Sequence, residues 1–312
     1  MGADVAIVFA RGGARVTLVE RDAAKAARLP AHVRTALAAL GRESAATAVA
    51  IVPSLADVAW NGVGLVVECI VEQLAPKQAL FRELVERAPR DALLTSNSSG
   101  LPISRIAEGL ATRERMFGLH FFMPAHLVPL VEVVLGPESD AALADSLMAA
   151  MRHCGSVPVL VRKDRPGFLA NRLQHALARE AFALLDDGVA SAEDIDAAVR
   201  FGFGMRFLAA GPILQREHAG LDIHCAAAAT IYPSLCNAAE PARVLRAQVE
   251  AGRLGMKSGA GFVEWPAEQR DVERARYDRL LREALALLRD DLPPLPLSPL
   301  PPASTAQNPD ER

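Results

Sequence analysis

Along the first 160 residues, apolar positions fall in short unbroken runs separated by stretches of helical periodicity. VTLVE (16–20), GLVVECIV (64–71), ALLTSNSS (92–99), FGLHFF (117–122), LVEVV (130–134) and VPVLV (157–161) predict strands. They are short, rich in β-branched or aromatic residues, and bounded by Gly, Asp, Asn or Pro. Several are apolar throughout, as strands covered on both faces must be. Helical spacing governs 5–10, 75–87 and 140–153 between them. Strand and helix in alternation predict an α/β domain with a largely parallel sheet.

The pattern changes after Lys163. An alanine-rich helical period runs over 172–187, and a second over 191–200 opens with the capping pattern Ser191-Ala-Glu-Asp194. Helical stretches continue to about residue 288 without a convincing strand. This predicts a domain over 1–162 and an all-helical one over 163–290, hinged at Asp164-Arg-Pro-Gly167. Seven of the 21 prolines fall between Pro293 and Pro309, so 291–312 is expected to be a disordered, extended tail.

Composition narrows the function classes. The 312 residues are 51% hydrophobic and 23% charged, as in globular proteins. Net charge is −3 with no Lys/Arg block, which argues against nucleic acid. No run approaches the ~18 apolar residues of a membrane span, and no signal-peptide pattern opens the chain. Cys69, Cys154, Cys225 and Cys236 are too scattered for a metal knuckle or disulfide framework, so no metal is expected and the compartment is a reducing, cytoplasmic one.

At the N-terminus, Gly2 opens an apolar helix, Gly12-Gly13 turn the chain, and Glu20 ends the next strand. In a dinucleotide-binding unit a glycine lets the pyrophosphate approach a helix N-terminus, and an acid some twenty residues on bonds the ribose. Gly2 and Glu20 have the spacing of that last glycine and that acid, 18 residues apart. Glu20 would repel a 2′-phosphate and so select NAD over NADP. Further along, His120 and Glu132 lie in apolar runs where a core histidine and an edge-strand charge are equally natural residues.

Three longer segments decide between those readings. SNSSGLPIS (96–104), GLHFFMPAHLVPLVEVV (118–134) and DRPGFLANRLQ (164–174) together resemble the L-3-hydroxyacyl-CoA dehydrogenase family, and GRLGMKSGAGFVEW (252–265) resembles its closing segment. The resemblance runs from Met1 to about Trp265. It implies a Rossmann-type NAD-binding domain followed by a helical dimerisation domain, hence a homodimer with NAD as cofactor and a small-molecule substrate. It implies that His120 is the general base, that Glu132 orients its imidazole, and that Ser99 and Asn171 lie beside the substrate oxygen and the nicotinamide. VVECIVEQLAPK (66–77) is similar to the family's V-V-E-A-I-x-E-x-x-x-x-K, which implies cofactor contacts by Cys69, Glu72 and Lys77 near the nicotinamide ribose. Ser99 and Met123 complete the expected cofactor set.

Three features depart from the family. Its first strand and first two glycines are absent ahead of Gly2, which predicts an in-frame strand encoded upstream of Met1. Met123 stands where the family usually has Asn and cannot replace that amide's hydrogen bonds. The segment from Glu20 to Ser54 is about a dozen residues shorter than in the CoA enzymes and lacks their basic helical pair, keeping only Lys25, Arg28, Arg34 and Arg42. The stretch 171–207 also resembles the group of L-gulonate 3-dehydrogenase and λ-crystallin. The leading expectation is therefore NAD-dependent oxidation of a short-chain L-3-hydroxyacyl-CoA to the 3-ketoacyl-CoA in fatty acid metabolism. A dehydrogenase of free 3-hydroxy acids and a non-catalytic truncated homologue are the alternatives.

Overall fold

Among the described residues there are seven strands, six of them on the apolar runs. β1 (Val16–Val19) pairs in parallel with β2 (Val49–Val52) as a two-stranded sheet. β3 (Leu65–Glu68), β4 (Leu93–Ser96), β5 (Met116–Phe121), β6 (Leu130–Leu135) and β7 (Val157–Val161) form a second sheet in that order. Its neighbours are parallel except for β5 and β6. The computed structural model describes residues 1–295; residues 296–312, which hold most of the expected proline-rich tail, lie outside the described residues.

Both faces of the larger sheet are covered, as its continuous apolar strands require. Phe117, Leu119 and Phe121 of β5 pack with α1 (Gly2–Arg11) and, through Ala144, Leu147 and Met151, with α6 (Ala141–His153). On the other face, Leu94 and Met116 meet Phe81 and Leu84 of α4 (Leu74–Arg87) and Ile103 and Ile106 of the one-turn α5 (Ile103–Ile106). Asp140 caps α6 by accepting from the Ala142 and Leu143 amides.

Several boundaries differ from the sequence pattern for visible reasons. The run 64–71 stops as a strand at Glu68 because the Glu68 carboxylate takes the Ile70 amide at 2.6 Å and turns the chain. The run 92–99 stops at Ser96, where the next amide, Asn97, donates to the Glu68 carbonyl at 2.8 Å. β2 was not predicted: four residues after an alanine-rich stretch give too little pattern. Between β1 and β2 lie only the four-residue α2 (Ala23–Ala26), the eleven-residue α3 (Leu29–Ala39) and a 3-10 segment.

The chain divides into two compact units, Met1–Asn171 with the chain from Asp290, and Arg172–Arg289. This division falls later than the expected boundary at 162. Residues 164–171 belong to the first unit because Asp164 accepts the Ser104 amide at 2.8 Å, and the Leu169 and Ala170 amides bind Glu132. The second unit is helical, from the body of α7 (Ala170–Asp186) through α8 (Ala192–Ala197), α9 (Pro212–Ala219), α10 (Leu221–Ile231) and α11 (Arg243–Glu250) to α12 (Ala267–Leu287). Ser191 accepts the Asp194 amide as the sequence pattern predicts.

Candidate active site

The site grows from the antiparallel pair of strands β5 and β6. Because side chains alternate along a strand, turning Phe117, Leu119 and Phe121 to one face leaves His120 on the other. The register sets His120 directly opposite Glu132. Their side chains meet there, with His120 Nδ1 2.7 Å from Glu132 Oε2, and both are almost fully buried.

Glu132 is held from two sides. Its Oε1 accepts the amides of Leu169 and Ala170 at 2.9 and 2.8 Å. Those amides point inward because Gly167 and Phe168 both adopt positive φ, 77° and 49°. Glycine reaches that region freely, whereas a phenylalanine there is strained and needs surroundings that hold it. The turn also sets the Phe168 ring 5.6 Å from the His120 ring, with Phe122 at 4.5 Å on another side.

Burial alone would raise the Glu132 pKa, but the His120 hydrogen bond, the two amides and the histidine's charge hold it below the usual carboxylate range. An ionised Glu132 accepts only, so His120 Nδ1 must carry a proton toward it. Ser99 Oγ lies 3.2 Å from Nε2 on the far side of the ring. An imidazole held at Nδ1 by a carboxylate, with Nε2 directed at a hydroxyl, is the arrangement a general base requires.

Asn171 joins the group through its side-chain amide, which donates to the Ser99 carbonyl at 3.2 Å. Met123 follows the strand, joined to Pro124 by a cis peptide bond, with its side chain 68% exposed. Glu72 Oε1 collects the Ser98 hydroxyl at 2.6 Å and the Ser99, Gly100 and Leu101 amides at 3.0, 3.0 and 3.3 Å. Burial pushes its pKa up, yet Ser98, the Gly100 amide, Lys77 and the Leu101 amide leave it below the ordinary value.

Lys77 lies beneath Glu72. It is 1% exposed, and its ammonium bonds both oxygens of the buried Glu68 at 2.8 and 2.9 Å, with Glu72 at 3.4 Å. Lys77 is thus the partner of two carboxylates. Glu68, Ser96, whose hydroxyl donates to Glu68 at 2.6 Å, and Asn97, which accepts the Phe121 amide at 2.8 Å, were not singled out from sequence. Their only signal was polarity at the carboxyl ends of apolar strands.

Gly2, Glu20 and Cys69 line a cleft of about 2620 Å³ bordered by β1, β3 and the N-terminus of α1. No side chain caps α1, so its first amides are open to an anion. A Cβ on Gly2 would lie 3.5 Å from Leu18 Cδ1 and 3.7 Å from Cys69 Cβ, so the helix end sits between the carboxyl ends of both strands. Glu20 closes β1, its carboxylate accepting the Asp22 amide at 2.9 Å. An uncapped helix N-terminus beside a strand-ending acid fits a dinucleotide. Burial raises the Cys69 thiol pKa to about 12, which leaves it a neutral wall of the cleft.

An α/β fold with a carboxylate-supported histidine, and with an uncapped helix N-terminus near a strand-ending acid, fits a dinucleotide-dependent dehydrogenase. The family model for the 3-hydroxyacyl-CoA dehydrogenase NAD binding domain matches residues 1–165, and that for the 3-hydroxyacyl-CoA dehydrogenase C-terminal domain matches 167–265. The chain belongs to the 3-hydroxyacyl-CoA dehydrogenase family, and its cofactor is NAD. Among relatives, the 5-formyl-3-hydroxy-2-methylpyridine 4-carboxylate 5-dehydrogenase of Mesorhizobium japonicum is 33% identical over 286 residues, covering 88% of this chain and 92% of that one. The 3-hydroxyadipyl-CoA dehydrogenase of Escherichia coli K12 is 34% identical over 281 residues, covering 87% of this chain and 58% of that protein. A solved structure of a 5-formyl-3-hydroxy-2-methylpyridine 4-carboxylic acid 5-dehydrogenase, described as an NAD+-dependent dismutase, superposes with a TM-score of 0.86 at 31% identity, covering 92% and 95% of the two chains.

Proposed function

We propose that this protein is an NAD-dependent dehydrogenase of a small free acid, oxidising a hydroxyl whose proton passes to His120 Nε2. NAD, when bound, accepts the hydride from the same carbon. Glu132 stabilises the imidazolium that forms, and the buried pair keeps the imidazole in the tautomer that accepts at Nε2. Ser99 Oγ and the Asn171 amide would hydrogen-bond the oxygen as it gains charge. Gly2, Glu20 and Cys69 would hold the cofactor on the cleft side.

The observation that carries the substrate class is the short connection between β1 and β2. One four-residue helix and one of eleven residues stand there, in place of the basic helical pair that CoA enzymes of the family use. The full-length similarity to a dehydrogenase named for a pyridine carboxylate supports the same reading. A short-chain 3-hydroxyacyl-CoA is the second reading, supported by the His120-Phe-Phe motif and by the relative named for 3-hydroxyadipyl-CoA. We further propose a homodimer built through the helical unit, where Phe201, Met205, Ile213, Leu221, Ile223 and Tyr232 are exposed.

NADH formation measured in parallel with L-gulonate, 5-formyl-3-hydroxy-2-methylpyridine 4-carboxylate and 3-hydroxybutyryl-CoA separates the readings. Turnover of a free acid at a kcat/KM at least ~10-fold above the CoA ester is expected. Preference for the ester would overturn the free-acid reading. Failure to bind NADH in a fluorescence titration would remove catalysis altogether and favour the non-catalytic homologue.

A further inference from the structure

We infer that Phe168 is a positioning residue for the His120–Glu132 pair, its buried ring holding a left-handed backbone that aims the Leu169 and Ala170 amides at the carboxylate. The inference rests on His120 being the reactive base, and it assigns the residue that sets the electrostatics of its partner.

Residues 162–169 connect β7 to α7 without helix or strand of their own. Asp164 fixes the start of this connection by accepting the Ser104 amide at 2.8 Å, and the Phe168 amide donates to the Arg165 carbonyl at 2.9 Å. Phe168 is the one buried residue from 162 to 170, whereas the side chain of its neighbour Leu169 is exposed. The ring beside His120, 5.6 Å between centroids, is therefore what anchors the turn. That anchor works against local preference, since Phe168 sits at a φ of 49°. Left-handed backbone is unfavourable for a residue with a Cβ, so without the ring the turn would return to negative φ and withdraw both amides.

The two amides occupy Glu132 Oε1, while Oε2 faces His120 Nδ1. Glu132 is wholly buried, so the amides, together with the histidine, are what keep it ionised. Removing them leaves its charge less compensated, and the pair then takes up a proton at higher pH. β5 and β6 carry no other titratable residue. Asp164 is engaged by Ser104, Glu72 by the 98–101 turn and Lys77, and Lys163, Arg165 and Arg172 are exposed.

Phe168→Ala and Phe168→Gly in the whole protein separate ring from backbone. Both remove the ring and leave nearly the same cavity, but only glycine reaches the left-handed region freely. An NMR titration of the His120 imidazole, its resonance assigned by its absence in His120→Ala, reads the pair without any substrate. Phe168→Ala is expected to move the pair's proton uptake upward by about 1 pH unit. It should also lower kcat by about 10-fold, as the displaced carboxylate no longer orients the base. Phe168→Gly should move the titration by less than half as much and keep kcat within about 3-fold of wild type, because the amides return to Glu132.

The reverse order, with glycine at least as altered as alanine, would overturn the proposal by reducing Phe168 to packing. An unshifted titration in Phe168→Ala would overturn it as well. Circular dichroism accompanies both variants. An unfolded Phe168→Ala beside a folded Phe168→Gly would support the same role, whereas loss of the fold in both would make Phe168 a core residue and end the proposal. Titrations that shift as expected in a protein without turnover would remove the reaction proposed above and keep the positioning role.

Discussion

At the scale of single residues, this protein buries carboxylates and surrounds each with donors. Glu132 and Glu68 are such carboxylates near His120, and Asp4 is one away from it. Asp4, on the first turn of α1, is 9% exposed, with its Oδ1 2.8 Å from His32 Nε2 and 3.4 Å from His126 Nδ1. Burial pushes its pKa up, but the hydrogen bonds to His126 and His32 and the charge of His126 bring it down from 3.8 to about 2. A depressed folded-state pKa contributes stability above the unfolded value, and that stability is lost as pH falls toward 2. The shift corresponds to about 2 kcal/mol near neutral pH. Asp4→Asn should therefore lower the unfolding free energy at pH 7 by about that amount, and the gap to wild type should shrink by about half at pH 3. Urea melts at the two pH values check this; a gap that stays constant with pH would contradict it.

At the scale of elements, the antiparallel pairing of β5 with β6 creates the site, and Gly118 is what allows it. A Cβ at Gly118 would stand 2.8 Å from Val134 Cβ and 3.1 Å from Val134 Cγ2, closer than packed atoms tolerate. Val134 is its partner in the register that two residues later sets His120 against Glu132. Gly118→Ala should cost about 1–3 kcal/mol by overpacking. At about 2–4 °C per kcal/mol, the melting midpoint should fall by several degrees. Differential scanning calorimetry measures it, and an unchanged midpoint would show that the strands move apart freely.

This is also where sequence reading reached its limit. The runs that became β4 to β7 were legible because burial on both faces leaves long apolar stretches. β2 was not, since VAIV is short and follows alanines that read as helix. His120, Glu132, Ser99 and Asn171 were legible as a family motif, and the pairing geometry brings them together. Glu68, Ser96 and Asn97 were not, because a polar residue ending a strand looks like an ordinary strand terminus. Lys77 was legible as a position, but its buried pairing with Glu68 was not. Whether a lysine faces a ligand or a buried glutamate depends on contacts nine residues apart in the chain, which no spacing rule encodes.

At the scale of the whole molecule, the cleft at the N-terminus of α1 and the strand pair carrying His120 and Glu132 lie on the same α/β unit, with a helical unit following. The family assignment covers both units, whereas the proposed substrate class rests on the short connection between β1 and β2. The account stands on His120 acting as the base of an NAD-dependent oxidation. The measurement that bears most directly on it is kcat for NADH formation by His120→Ala with the best substrate of the panel, alongside NADH affinity and circular dichroism. The account predicts a fall in kcat of about 10²–10⁴-fold, the share a general base contributes, with NADH affinity and the spectrum unchanged. Turnover at the wild-type rate in that variant would contradict it.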